Sequence, residues 1–165
     1  MPDTELDRFN AAPEVAAALH ACNAAPRFAA DVAAGRPYPS VEALVARAEE
    51  VSRSLDWAEV ADALAAHPRI GDRMQGTSAE ATASRREQSS MDDADARVRE
   101  AIVAGNQAYE ERFDTVFLIR AAGRSPAEML AELRRRLDND EQAERAEVVE
   151  QLAQITGLRV RGLVS

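Results

Sequence analysis

The sequence predicts an all-α protein, a single-domain bundle of seven or eight helices. Apolar residues recur at three- and four-residue spacing over most of the chain, which is the helical period. Alanine is abundant and aromatic residues make up only 4% of the chain, a composition that favours closely packed helices over β-sheets. The length of 165 residues suits one domain spanning residues 1–165.

Helix boundaries in the first half are predicted from proline, glycine and capping residues. A short helix near Leu6 and Phe9 and an alanine-rich helix over residues 13–22 open the chain. Pro26 suits the first turn of the third helix and Gly35 its end. The two prolines of residues 36–39 then require a turn.

Two further helices are predicted before residue 68. Ser40 suits the N-cap of a helix whose apolar residues share one face, namely Val41, Leu44, Val45, Ala48, Val51 and Leu55. Asp56 and Glu59 have the spacing of a capping box, and the helix that they open should end near His67, because Pro68 disfavours helical geometry before it.

In the second half, residues 68–76 predict a loop, and Thr77 with Glu80 predicts a helix to about residue 90. The longest helix should follow a cap at Asp92 or Asp93 and end near Phe113. Periodicity cannot assign the short apolar run 116–119, for which buried extended chain is one interpretation. Residues 125–128 combine a cap with a first-turn proline, and a last helix from about residue 140 has a weak point at Gly157.

Charge and cysteine content exclude several classes of function. The net charge of −9, without a basic stripe, argues against a nucleic-acid partner. No apolar run is long enough to span a membrane, and the first residues lack a signal-peptide pattern. The single cysteine, Cys22, indicates a reducing compartment, so we expect a cytoplasmic protein. Two histidines without an HExxH or CxxC pattern give no support for a metal site.

Three features could carry chemistry. His67 lies beside Pro68 at a predicted helix C-terminus, where an imidazolium is favoured and can hold a proton near neutral pH. Ser84, Glu87 and Gln88 share one helix face and suit a small, nitrogen-rich polar ligand. Arg159, between Leu158 and Val160, suits a carboxylate clamp. The alternative for His67 is a structural histidine, that for Ser84, Glu87 and Gln88 is a solvated helix face, and that for Arg159 is surface decoration. His20 is interpreted as a core or surface residue without a functional role.

Short motifs in one order and spacing also link the chain to a known family. They are Arg36-Pro37-Tyr38, Ala66-His67-Pro68-Arg69-Ile70-Gly71, Ser84-Arg85-Arg86-Glu87-Gln88, Asn106-Gln107-Ala108-Tyr109, Phe117-Leu118-Ile119, Arg136-Leu137-Asp138-Asn139 and Leu158-Arg159. Through them the sequence resembles 2-oxo-4-hydroxy-4-carboxy-5-ureidoimidazoline (OHCU) decarboxylase, the enzyme that ends the conversion of uric acid to allantoin. The resemblance implies an all-α fold, a homodimer and decarboxylation without a metal or organic cofactor.

The resemblance also implies a set of site residues. His67 and Glu87 take the catalytic positions, and the substrate-binding positions fall on Pro68, Ser84, Gln88, Ile119 and Arg159. The chain departs from the family at residues 112–117, where a Gly-Phe-Pro-Phe segment is common, and at Arg27, where many members carry tryptophan.

Two alternatives to OHCU decarboxylation as the function stay open. The same pocket could act on a related ureido or purine-derived acid, for which the altered 112–117 segment is the reason. The chain could also be a non-catalytic helical binding module, because an acidic, alanine-rich bundle without a pocket would have a similar composition.

Overall fold

A computed structural model describes residues 4–67, 69 and 96–165, and every regular element in this part of the chain is an α-helix. The eight helices are α1 Glu5–Ala11, α2 Ala16–Cys22, α3 Pro26–Ala34, α4 Val41–Arg53, α5 Trp57–Leu64, α6 Ala96–Phe113, α7 Pro126–Leu137 and α8 Glu141–Leu163. The predicted all-α class is confirmed. The predicted loop 68–76, the helix from Thr77 and the caps at Asp92 or Asp93 lie outside the described residues, Arg69 excepted.

Several predicted caps are present as hydrogen bonds. The Ser40 hydroxyl accepts from the Ala43 amide at 3.0 Å, and Asp56 forms a reciprocal capping box with Glu59. The Ser125 hydroxyl accepts from the Glu128 amide at 3.1 Å. These helix starts are confirmed because a cap involves residues three positions apart and needs no distant partner.

The chain divides into two compact units, residues 1–66 with 145–165 and residues 67–144. In the first unit α3 packs against both α2 and α4. Buried Asn23 joins this packing to α8, since its Nδ2 donates to Thr156 Oγ1 at 3.2 Å and to Ser52 Oγ at 3.4 Å. The single domain predicted for residues 1–165 stays a prediction.

In the second unit α6 packs against α7. Its main apolar cluster consists of Tyr109, Phe117, Ile119, Met129 and Leu133. A smaller cluster pairs Ile102 of α6 with Leu130 of α7. Gly105 allows close approach, because a Cβ there would lie 2.5 Å from Leu133 Cδ2.

Two predictions about helix boundaries need correction. Helix α5 ends at Leu64 and not at His67, because the chain already turns at Ala65 and Ala66 before Pro68 is reached. The end of α6 at Phe113 is as predicted, while the residues of its predicted cap lie outside the described part of the chain. Gly157 does not interrupt α8, whose neighbouring residues Leu152, Ala153 and Val160 are fully buried and keep the backbone helical through packing.

None of the helices that the structure describes has the length and apolar character needed to cross a lipid bilayer.

Candidate functional site

His67 lies in a bend just beyond α5 and is partly buried. The amide of Ala65 still donates to the Ala61 carbonyl at 3.1 Å, and that of Ala66 donates to the Ala63 carbonyl at 3.2 Å. The imidazole therefore follows the last turn of the helix by three residues. The C-cap of the helix is Ala65 and not His67.

The chain that follows His67 is tied to α6 by an ion pair. The Arg69 guanidinium donates from Nε to Glu110 Oε1 at 2.5 Å and from Nη2 to Glu110 Oε2 at 3.1 Å. A two-point contact of this kind fixes the orientation of both groups better than a single bond does. It attaches the backbone beside the predicted catalytic histidine to the turn of α6 that also carries Tyr109.

The apolar run 116–119 leaves α6 through a tight turn at Asp114, whose φ of 57° lies in the left-handed region. Aspartate adopts this conformation more readily than most residues. Phe117, Leu118 and Ile119 are buried and have no regular secondary structure, so the run that periodicity could not assign is buried chain outside a helix. Phe117 and Ile119 pack against Tyr109 of α6.

A buried arginine holds this run from α7. Arg136 is 1% exposed and its Nη1 donates to the Leu118 carbonyl at 2.8 Å. The guanidinium carbon also lies 4.5 Å from the centre of the Phe117 ring, a cation–π distance. One side chain thus contacts two successive residues that precede Ile119.

The charge of Arg136 is balanced by Glu144, which is 2% exposed. Arg136 Nε donates to the two carboxylate oxygens at 3.1 and 3.0 Å, and Nη2 donates to Oε2 at 2.5 Å. Tyr109 donates from its hydroxyl to Oε2 at 2.5 Å, and Asn139 donates from Nδ2 to Oε1 at 3.1 Å. Removal from water and the neighbouring Glu144 carboxylate both raise the pKa of Tyr109, so its phenol stays protonated and donates.

This Arg136–Glu144–Tyr109 network was not predicted as part of the site. The sequence contains two signals for it. Tyr109 and Arg136 both lie in motifs that carry the family resemblance. Arg136 also follows Met129 and Leu133 at helical spacing and so occupies the apolar face of α7. Glu144 has no comparable signal, since its burial depends on the turn that separates α7 from α8.

Two of the predicted site residues lie in segments that contact α6, each at a different residue of that helix. His67 is connected to Glu110 through Arg69, and Ile119 packs with Tyr109, the neighbour of Glu110. Arg159 lies in the last turns of α8 in the first unit and is partly buried, between exposed Leu158 and buried Val160. Pro68, Ser84, Glu87 and Gln88 lie outside the described residues. His20 is exposed on α2.

Metal ligation has no candidate in the described chain: across residues 4–67, 69 and 96–165, no three His, Cys, Asp or Glu side chains come together as a possible metal site.

Comparison with known proteins identifies the family. A family model described as OHCU decarboxylase matches residues 10–161. The chain belongs to the OHCU decarboxylase family. The resemblance found in the sequence motifs is confirmed, and with it the assignment to carboxy-lyases of uric acid degradation that act on a small molecule. No curated protein matches the chain.

Solved structures share the fold of this OHCU decarboxylase family member. An OHCU decarboxylase solved in the presence of (S)-allantoin has a TM-score of 0.73 at 24% identity, covering 88% of this chain and 95% of its own. An (S)-allantoin synthase has a TM-score of 0.71 at 15% identity, covering 96% of this chain but only 54% of its own. At these identities the likeness concerns the fold.

Proposed function

We propose that this protein decarboxylates OHCU to (S)-allantoin, with His67 as the acid/base group and without a cofactor. The observation that carries the proposal is the family match, because residues 10–161 contain every predicted site position from His67 to Arg159. A solved structure of similar fold was obtained with (S)-allantoin, the product that we propose. Cytoplasmic location and a homodimer stay predictions.

The chemistry explains why no cofactor is needed. The bond between the ring carbon and the carboxylate breaks and carbon dioxide leaves. The released electron pair forms a C=C bond to the neighbouring imine carbon, and the π pair of the C=N bond moves to its nitrogen, which takes a proton. The hydroxyl-bearing carbon then becomes a carbonyl as its hydroxyl proton departs. A proton is added to one face of the former imine carbon, which creates the stereocentre. The substrate thus contains its own electron acceptor, and the protein must supply proton transfer and hydrogen-bond donors.

The roles follow from what each group can do. A partly buried imidazole beyond α5 exchanges protons near neutral pH and suits delivery to one face. Arg159 can balance the substrate carboxylate before it leaves. Glu87 would orient His67 or hold the substrate hydroxyl, while Ser84, Gln88 and the Pro68 and Ile119 segments would bind the ring and ureido group.

Optical activity tests the proposal directly. OHCU is generated in place from uric acid by the two preceding enzymes, and the appearance of allantoin is followed in a polarimeter. We expect rapid formation of one enantiomer with the wild-type protein and slow, racemic product with His67→Ala. His20→Ala is the matched control, since it removes the exposed histidine of α2 and should leave the reaction unchanged. Thermal melting checks that both variants fold.

Each result has a definite meaning. Slow, racemic allantoin from the wild-type protein would contradict the proposed reaction. Rapid and stereospecific turnover by His67→Ala would leave the reaction in place and remove His67 from its mechanism.

A related ureido or purine-derived acid is the second candidate substrate. The observation that favours it is the turn at Asp114, with a φ of 57°, which sets the course of the buried run toward Ile119 in a segment that departs from the family pattern. Side-by-side competition assays with related ureido acids distinguish the two substrates. Failure of allantoin and of substrate analogues to raise the melting temperature would instead favour a binding module for another ligand.

A further inference from the structure

We propose that Arg136 is a positioning residue for substrate binding, which holds the 117–119 backbone in place through the Leu118 carbonyl. The inference rests on the proposed function, in which the backbone near Ile119 contacts the substrate ring. Arg136 itself is buried in the protein and does not need to touch substrate.

The geometry assigns separate tasks to the two sides of the guanidinium. Nε and Nη2 bind the Glu144 carboxylate at 2.5 to 3.1 Å, while Nη1 reaches the Leu118 carbonyl at 2.8 Å. Leu118 lies in buried chain without regular secondary structure. A buried carbonyl in such a segment has no helical or sheet partner and needs a side-chain donor.

The anchoring side chain is itself immobilised. Glu144 accepts from Arg136, Tyr109 and Asn139, so the carboxylate is held from α6 and from the turn after α7. The Tyr109 ring also packs edge-on against Phe117, with ring centres 5.3 Å apart. Leu118 is therefore anchored by a group that cannot move without disturbing both helices.

Stability alone does not account for such a network. Buried ion pairs can often be replaced by well-packed apolar residues without loss of stability, because desolvation offsets much of their attraction. What an apolar replacement cannot supply is a donor for Leu118. The network is thus suited to fixing the backbone that precedes Ile119.

The test separates binding from stability. Arg136→Lys keeps a cation for Glu144, but its one nitrogen replaces three that are spread over the guanidinium plane. We expect that nitrogen to stay with the Glu144 carboxylate and to leave the Leu118 carbonyl. If the run contacts the ring equally in the bound substrate and the transition state, its displacement raises KM and leaves kcat unchanged. We expect KM for OHCU to rise about tenfold, with kcat within about twofold of wild type.

Leu130→Ala is the matched control. It also removes buried contacts of α7, but from the cluster with Ile102 and not from the 117–119 run. We expect it to lower the melting temperature and leave KM unchanged. An Arg136→Lys variant that melts lower yet keeps the wild-type KM, or one that loses only kcat, would overturn the positioning role.

A second variant tests the inference if Arg136→Lys does not fold. Combining Tyr109→Phe, Arg136→Met and Glu144→Leu removes the network as a unit and leaves no unpaired buried charge. We expect a folded protein with the same rise in KM; a folded triple variant with wild-type KM would overturn the inference. Turnover of OHCU by the wild-type protein is measured alongside, and it tests the proposed function independently of the KM values of the variants. If wild type is inactive, the proposed function fails and the inference falls with it.

Discussion

Asn23 donates a hydrogen bond of 3.2 Å from Nδ2 to the hydroxyl oxygen of Thr156, although 133 residues separate them in sequence. Both side chains are fully or almost fully buried, with exposures of 1% and 0%. The bond joins the turn after α2 to the last helix by a buried polar contact within the first unit.

The coupling between these two residues is open to measurement. Thr156→Val keeps the shape but removes the acceptor, which leaves the Asn23 amide with Ser52 at 3.4 Å, and we expect a loss of about 1–3 kcal/mol. Urea denaturation of Asn23→Ala, Thr156→Val and the double variant gives the pair energy. Strictly additive losses would contradict a direct interaction.

One substitution at two helical glycines should have opposite effects. At Gly105 a new Cβ would lie 2.5 Å from the Cδ2 atom of fully buried Leu133, and overpacking costs about 1–3 kcal/mol. At Gly157 the neighbour at 2.5 Å is the Glu49 carboxylate, on a side chain that is 30% exposed and can turn toward solvent.

We therefore expect Gly105→Ala to destabilise the protein. Gly157→Ala should be neutral or stabilising by up to about 1 kcal/mol, because alanine favours the helix. Thermal melts of the two variants provide the comparison, and a shift of the same sign in both would show that the two contacts are equivalent.

Alkaline pH should weaken the Tyr109 contribution to stability. The folded pKa of Tyr109 lies above its ordinary value of 10.0, first because of burial and then because of Glu144. Its contribution is fully present below about pH 10 and is lost as the pH rises toward the folded pKa, since the unfolded tyrosine ionises first. The chain contains no lysine, which removes the main competing titration.

Tyr109→Phe isolates this effect. We expect it to cost about 1–3 kcal/mol at neutral pH through the lost bond to Glu144, and the deficit relative to wild type to shrink at about pH 11. Urea unfolding at both pH values provides the measurement. A deficit that stays constant would mean that Tyr109 ionises equally easily in the folded protein.

Low pH should remove the contribution of the contact between Arg27 and Glu59 to stability. Arg27 Nε donates to Glu59 Oε2 at 2.9 Å, and this bond is the first cause that lowers the pKa of Glu59 below 4.5. Its contribution is present above the unfolded pKa and is lost as the pH falls through the folded pKa. The resemblance places tryptophan at position 27 in many relatives, so here an ion pair occupies that position.

We expect the free energy of unfolding of Arg27→Gln to fall less steeply with decreasing pH than that of the wild type. Between neutral pH and about pH 3, we expect this variant to lose less unfolding free energy than wild type, because Glu59 then titrates closer to its ordinary pKa. Glu59→Gln should also lose less, because it removes the titrating carboxyl group itself. An acid profile of Arg27→Gln that overlays the wild-type curve would show that Glu59 is held by its capping contact alone.

Local signals account for what was predicted well. Ser40, Asp56 and Ser125 cap their helices as predicted because each capping bond spans three residues. The family, too, was recognisable from short motifs in a fixed order, which the match over residues 10–161 confirms.

Properties that depend on distant partners were predicted less well. Pro68 predicted the end of α5 only to within three residues, because the helix already ends at Leu64 and the chain turns at Ala65 and Ala66. Gly157 suggested a weak point in α8, yet the buried residues around it keep the helix continuous.

The sequence by itself determined the helical class, most helix starts and the family, because periodicity, caps and motifs are encoded within a few residues of each other. Only the tertiary structure decided which charges are buried. Arg136 belongs to a run of three arginines, and its neighbours Arg134 and Arg135 are exposed. Of the three, Arg136 alone is buried, because α6, the 117–119 run and Glu144 pack around its face of α7 and exclude water. The same packing brings acceptors to its guanidinium, namely the Leu118 carbonyl and the Glu144 carboxylate.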